Sequence, residues 1–258
     1  MTQNADEEII KAAQANCQKL INHLLSFCLN LVRFEDPAQP KEPCGMATGF
    51  LVSSGDRKFM LTAGHAARRD AVWHWETNVV LEAERKVMCL PLGPFTVLST
   101  ISTHLRAKAK VTDIDFGWCA FDVARLQQEF QKDARLKDHK LEFTFYQGPL
   151  DKTPVLKDEP YTFAAWNQAL IIPAGVTFLE RSTAYETCMT YTGSNPDGLY
   201  VFKLARAHQG HKYYRGASGA PIVSPEGFIV SMVLGGCEKK NEIYGLPLAK
   251  YTPLLNLA

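Results

Sequence analysis

Two short segments carry residues that could do nucleophilic chemistry together: Arg215-Gly216-Ala217-Ser218-Gly219-Ala220-Pro221 and, far upstream, Leu61-Thr62-Ala63-Gly64-His65. A serine hydroxyl attacks a carbonyl only when a base takes its proton, a third group holds that base, and N–H donors receive the charge on the attacked oxygen. Glycines at 216 and 219 allow backbone conformations that a Cβ hinders, so the N–H groups of Gly216 and Ser218 could point into one small cavity as an oxyanion hole. Gly-x-Ser-Gly is also an ordinary tight turn, so the motif alone does not decide. His65 follows the apolar run Phe59-Met60-Leu61-Thr62, unlike His23, His74, His104, His139 and His211. Among the several carboxylates between His65 and Ser218, Asp113 and Asp115 stand two residues apart. In an extended strand they share one face, so alternation does not choose between them.

These residues need a β-rich scaffold. Short apolar runs at 46–53, 58–63, 78–90, 95–101, 108–112 and 116–122 are separated by turn residues, enough strands for one barrel. Residues 123–140 are charged and helix-compatible, and read as a connection. A second β-rich block follows, with strands expected near 141–147, 160–165, 169–172, 185–191, 199–205, 221–224, 228–234 and 243–248. The expected plan is all-β: a first barrel over 37–122, the connection over 123–140, and a second barrel over 141–258. His65 and the aspartates belong to the first barrel and Ser218 to the second, at the mouth of a hairpin, so a site would form in the cleft between them. An extended polypeptide could lie there as an added strand.

Ahead of the barrels, in segment 1–36, Ile10, Ala13, Cys17, Leu20, Ile21, Leu24, Cys28 and Leu31 recur at three- and four-residue steps. That spacing predicts an amphipathic helix over 6–33 that packs on the barrel surface or docks a partner or a second copy. Asp6, Glu7 and Glu8 precede the leucine-rich stretch 20–32 where a signal peptide would be basic, and no apolar stretch reaches the length of a membrane span. With 258 residues, 46% of them hydrophobic, the chain can bury a real core, and a net charge of +1 argues against nucleic acid as a partner. The seven cysteines are odd in number, lie partly inside apolar runs and include no C-x-x-C pair, so neither a zinc site nor a disulfide framework is expected. Reduced thiols and a cytoplasmic location follow.

The chain resembles the trypsin/chymotrypsin superfamily of serine peptidases. Thr62-Ala63-Gly64-His65 is similar to its T-A-A-H or T-A-G-H motif, and Gly216-Ala217-Ser218-Gly219-Ala220-Pro221 to its G-D-S-G-G-P, with Ala217 and Ala220 as departures that remove no catalytic atom. The resemblance covers roughly residues 44–252. It implies two six-stranded antiparallel β-barrels, no cofactor or metal, and a His-Asp-Ser triad. The family pattern after the acid fits Asp115-Phe116-Gly117-Trp118-Cys119, which makes Asp115 the orienting carboxylate. The segment Ile243-Tyr244-Gly245-Leu246-Pro247-Leu248 resembles the end of the short-loop Deg-type branch. Secreted relatives carry a bridged cysteine just after the histidine, where this chain has Ala66-Ala67. The family also implies a substrate pocket with Lys212 at its base, which would favour an acidic side chain, and walls from Ser231, Met232 and Val233. The implied activity is a serine endopeptidase. The alternative is a catalytically impaired domain of this type used for peptide binding or assembly. An α/β-hydrolase is excluded because it needs the order Ser, acid, His.

Overall fold

The helix expected over 6–33 runs from Thr2 to Ser26 (α1) and gives way to a strand, Cys28–Phe34 (β1). Among the side chains of α1 that the structure describes, Ile21 and Leu24 are buried, Cys17, Leu20 and Leu25 half-buried, and Ala13 exposed. From Cys28 to Val32 every residue is buried, which suits a central strand covered on both faces and not a surface helix with one apolar stripe. Cys28 packs into the cluster of Phe50 and Phe116, whereas Leu29 and Leu31 join Leu51, Met60 and Trp73. The helical spacing of Cys28 and Leu31 was therefore a coincidence of composition.

The computed structural model describes residues 2–34, 43–67, 72–81, 86–102, 110–154, 159–171 and 178–255. In its first unit, β1 pairs antiparallel with both β2 (Pro43–Ser54) and β4 (Trp73–Leu81). With β3 (Arg57–Thr62), β5 (Lys86–Pro91), β6 (Thr96–Ser102) and β7 (Lys110–Ala120) they form a seven-stranded sheet in the order β5-β4-β1-β2-β3-β7-β6. The expected run 78–90 is thus parts of two strands, and 108–112 with 116–122 make one. Residues 82–85, 108–109 and 172, inside expected strands, lie outside the described residues. The segment 1–36 is more than an appended helix, since β1 lies near the middle of this sheet.

The connection holds a short helix, α2 (Val123–Phe130), capped by Asp122, whose side chain accepts from the Arg125 N–H at 2.9 Å. The strand expected at 141–147 does not form. Tyr146 alone bridges Val52, its N–H donating to the Leu51 carbonyl and its carbonyl accepting from the Ser53 N–H, both at 2.9 Å. The alternating aromatics Phe143 and Phe145 serve instead as a cover over Phe121, with ring centroids 4.9 and 5.9 Å away.

The second unit is the expected closed six-stranded barrel. It contains β8 (Pro160–Ile171), β9 (Phe178–Ser194), β10 (Tyr200–Lys203), β11 (Pro221–Val223), β12 (Ile229–Cys237) and β13 (Glu242–Pro247), in the order β10-β13-β12-β11-β8-β9. A one-turn helix, α3 (Thr252–Leu255), follows. The two units share a core in which Phe50, Leu61 and Phe116 of the sheet meet Val223, Ile229 and Met232 of the barrel. That continuous apolar contact makes their relative position a packing matter and not a linker matter.

Candidate active site

His65 sits in a single 3-10 turn, Gly64–Ala66, directly after β3, and its partner is on β7. The ring nitrogen Nδ1 lies 2.9 Å from Asp115 Oδ2 and 3.0 Å from Oδ1, while the His65 backbone N–H donates to Oδ1 at 2.7 Å. One carboxylate thus fixes both the ring and the main chain of the histidine. Burial raises the Asp115 pKa, but the hydrogen bonds and charge from His65 and the Gly64 N–H outweigh it, and the net shift is downward. Two glycines permit the approach. A Cβ on Gly64 would lie 2.7 to 2.9 Å from the Phe116 nitrogen, the Ile114 carbonyl oxygen and the Asp115 carbonyl carbon, and one on Gly117 would collide with the Ala67 side chain. The side chain of Asp113 is outside what the structure describes.

Ser218 occupies the turn that leads into β11, ahead of the β11–β12 hairpin. Gly216 and Gly219 flank it with φ of +91° and +90°, in the region that L side chains avoid. The N–H groups of Ala217, Gly219 and Ala220 donate to the carbonyls of Tyr214, Val233 and Ala217 at 2.9, 2.7 and 2.9 Å. Among the described residues, those of Gly216 and Ser218 find no protein acceptor. These are the two donors expected of an oxyanion site.

The first unit grips this turn through Thr48, which is fully buried. Its hydroxyl donates to the Gly216 carbonyl at 2.8 Å, and its N–H donates to the Ser218 carbonyl at 2.9 Å. Its own carbonyl accepts from Thr62 Oγ1 at 2.8 Å, and Thr62 stands three residues before His65. A Cβ on Gly219 would collide with the Thr48 carbonyl and with Thr62 Oγ1 and would lie 3.1 Å from the Ala63 nitrogen. The serine turn is therefore packed against the end of β3, from which the histidine emerges. Among the described residues no hydrogen bond joins Ser218 to His65. Thr48 escaped the sequence reading, and Thr62 and Gly117 entered it only as motif positions, because nothing local marks a buried threonine as a clamp.

The expected pocket residues are placed otherwise. Ser231 and Met232 are fully buried, Met232 in the core shared with the first unit, and Val233 is 3% exposed, so none presents a surface to a ligand. Val233 instead braces the serine turn, exchanging backbone hydrogen bonds with Gly219 and Ala220. The open surface comes next in β12, at half-buried Leu234, exposed Gly235 and half-buried Gly236. Lys212 is exposed on the loop before the serine turn. Behind that loop lies a polar cluster that sequence reading missed. Glu186, 1% exposed, accepts from Arg206 Nε at 2.9 Å and from the Tyr214 hydroxyl at 2.6 Å. The hydrogen bonds from Arg206 and Tyr214 compensate the buried carboxylate. A groove of about 670 Å³ between α1 and β9 has Glu186 and Arg206 in its wall, but neither His65 nor Ser218.

No known family model matches the sequence, and no curated protein is similar to it at a significant level. Solved structures do resemble it. The serine endoprotease from Yersinia pestis superposes with a TM-score of 0.51 at 13% identity, covering 93% of this chain, which matches 65% of that protein's length. HBP superposes with a TM-score of 0.50 at 13% identity, covering 90% of each chain. The fold is that of the trypsin-like, two-unit β proteins. Among the described residues no helix is long and apolar enough to cross a membrane.

Proposed function

We propose that the chain is a serine endopeptidase that cleaves polypeptides in the cleft between its two β units. The observation that carries this reading is the clamp that packs the Ser218 turn against the end of β3, beside a histidine already bound to a carboxylate. In the proposed mechanism Ser218 Oγ attacks the scissile carbonyl carbon and passes its proton to His65 Nε2. Asp115 holds Nδ1–H and stabilises the imidazolium, and the N–H groups of Gly216 and Ser218 receive the oxyanion. The tetrahedral intermediate collapses as His65 returns the proton to the leaving amine. Water then enters by the same route to free the acyl group. That no hydrogen bond joins Ser218 to His65 among the described residues is compatible with this, since such bonds are often long in ligand-free enzymes and tighten around substrate.

The segment Ile243–Leu248 and the absence of a bridged cysteine after His65 favour the short-loop Deg-type branch. The seven cysteines are present as thiols, and burial pushes the Cys119 thiol up to about 12, which makes it inert. A reducing, cytoplasmic setting suits such a set. The missing Ser218–His65 hydrogen bond is also what an impaired, peptide-binding relative would show. Labelling with a fluorophosphonate decides between them: the wild-type chain is modified at Ser218, and Ser218→Ala is not modified while keeping its fold. An unmodified wild type, or an adduct at another residue, overturns the proposal.

A further inference from the structure

Where the C-terminal end of α1 meets both units, the structure leaves a cavity of about 340 Å³ that has neither His65 nor Ser218 in its wall. Four separate parts of the chain build it: Ser26 of α1, Leu29 and Leu51 of the first sheet, Trp166 of β8, and Glu142 with Phe143 beyond the connection. Trp75 completes a lining of three aromatic side chains. Its ring and that of Phe143 stand 4.9 Å apart between centroids, and the Trp166 indole is held by its Nε1–H, which donates to the Cys28 carbonyl at 3.2 Å. The polar groups of the wall are weighted toward acceptors. The Ser26 hydroxyl donates to the His23 carbonyl at 2.7 Å, so its oxygen is what remains to offer, and the Leu51 N–H donates to the Phe27 carbonyl at 2.8 Å. Glu142 is exposed and, among the described residues, has no ion-pair partner. No lysine, arginine or histidine is among the lining residues.

We infer that this cavity binds a small quaternary ammonium ion, its methyl groups against the aromatic rings and its charge balanced by Glu142. A ring face attracts a cation through its quadrupole, and the attraction grows where water is excluded. Leu29 and Leu51, 6% and 1% exposed, give the cavity an apolar floor that excludes it. A quaternary ammonium carries no hydrogen to satisfy, so it fits a wall whose acceptors lie only at the rim. An anion would meet an unpaired carboxylate and no basic side chain, and a wholly apolar ligand would leave the field of Glu142 unused. A metal ion is disfavoured because, among the described residues, no three His, Cys, Asp or Glu side chains gather to hold one. The inference is independent of the peptidase reading.

Choline and 3,3-dimethylbutan-1-ol differ only in the nitrogen or carbon that bears the three methyl groups, so together they isolate the charge. Two of the four tryptophans of the chain line the cavity, and their fluorescence reads occupancy. The full chain is titrated with each probe at constant ionic strength. Choline should give a saturable change and bind at least fivefold tighter than the alcohol. Glu142→Gln, an exposed substitution that the fold should tolerate, should weaken choline about two- to fivefold and leave the alcohol unchanged. Phe143→Ala should weaken choline further. Equal binding of the two probes, or tighter binding of the alcohol, would show an apolar site and overturn the inference. So would a choline affinity indifferent to Glu142→Gln, which would place the cation elsewhere, or no saturable change with either probe. The wild-type ranking and the Glu142 variant decide the matter even if Phe143→Ala does not fold. No outcome bears on Ser218 labelling, so the peptidase reading stands or falls separately.

Discussion

Thr48→Val tests whether the first unit sets the geometry of the serine turn. Valine keeps the volume and the β-branch of threonine, so it fills the same buried space and retains the 2.9 Å backbone bond to the Ser218 carbonyl. What is lost is the hydroxyl that donates to the Gly216 carbonyl at 2.8 Å. Leaving that carbonyl buried without a partner costs about 1 to 3 kcal/mol. For a chain of this size each kcal/mol lowers the melting temperature by roughly 2 to 4 °C. The functional effect should exceed the structural one. Gly216 holds φ at +91°, and with its carbonyl released the residue can rotate its N–H away from the oxyanion position. Losing one such donor lowers turnover by about 10²–10³-fold. The assay is the second-order rate of fluorophosphonate labelling, followed beside thermal melting. Thr48→Ser, which restores the hydroxyl, should recover most of the rate but less of the stability. A Thr48→Val chain that labels within a factor of about two of wild type, despite the expected fall in melting temperature, would refute the clamp and the oxyanion assignment with it.

Asp115→Asn should keep the fold and lower turnover by about 10⁴-fold through the wrong hydrogen-bonding group at His65 Nδ1, whereas Asp113→Asn should cost far less; equal losses in kcat would show that the two act together. The Asp115 pKa is depressed in the folded chain, so its contribution to stability is complete above the ordinary value of 3.8 and is lost as pH falls through the lower folded value. Urea midpoints of wild type and Asp115→Asn should therefore converge in that acid window. Strong reductant should leave labelling rate and melting temperature unchanged, because the seven cysteines are already thiols; a large drop in melting temperature would contradict the reduced state.

The parts of the fold that could be read from sequence are those in which local pattern and burial agree. The run Phe59–Thr62 ends in the histidine turn because its residues are all buried and the chain must leave the sheet at Gly64. Cys28–Val32 was misread because a strand covered on both faces is apolar throughout and matches a helical template as well as any other. Leu141–Phe145 was misread for the opposite reason. It alternates as a strand does, but its partners are aromatic side chains of the first unit, and no strand edge receives it. Each error concerns what the segment meets in space, which period alone does not encode.

The same distinction explains which parts of the site could be seen. Ser218 and His65 carry their own markers, glycines whose positions are required by their neighbours: Gly219 against Thr48 and Thr62, Gly64 against the Asp115 strand. The groups that make those glycines necessary carry none. Thr48 is one threonine in a buried strand, and Glu186 one acid in a long one, until folding brings the first against the Gly216 carbonyl and the second under Tyr214. Lys212 shows the sequence a formal charge and is exposed, whereas nothing local marks His208, which is held by Asn241, Gly210 and Tyr214. A formal charge is visible in a sequence; an oriented donor is a product of three neighbours.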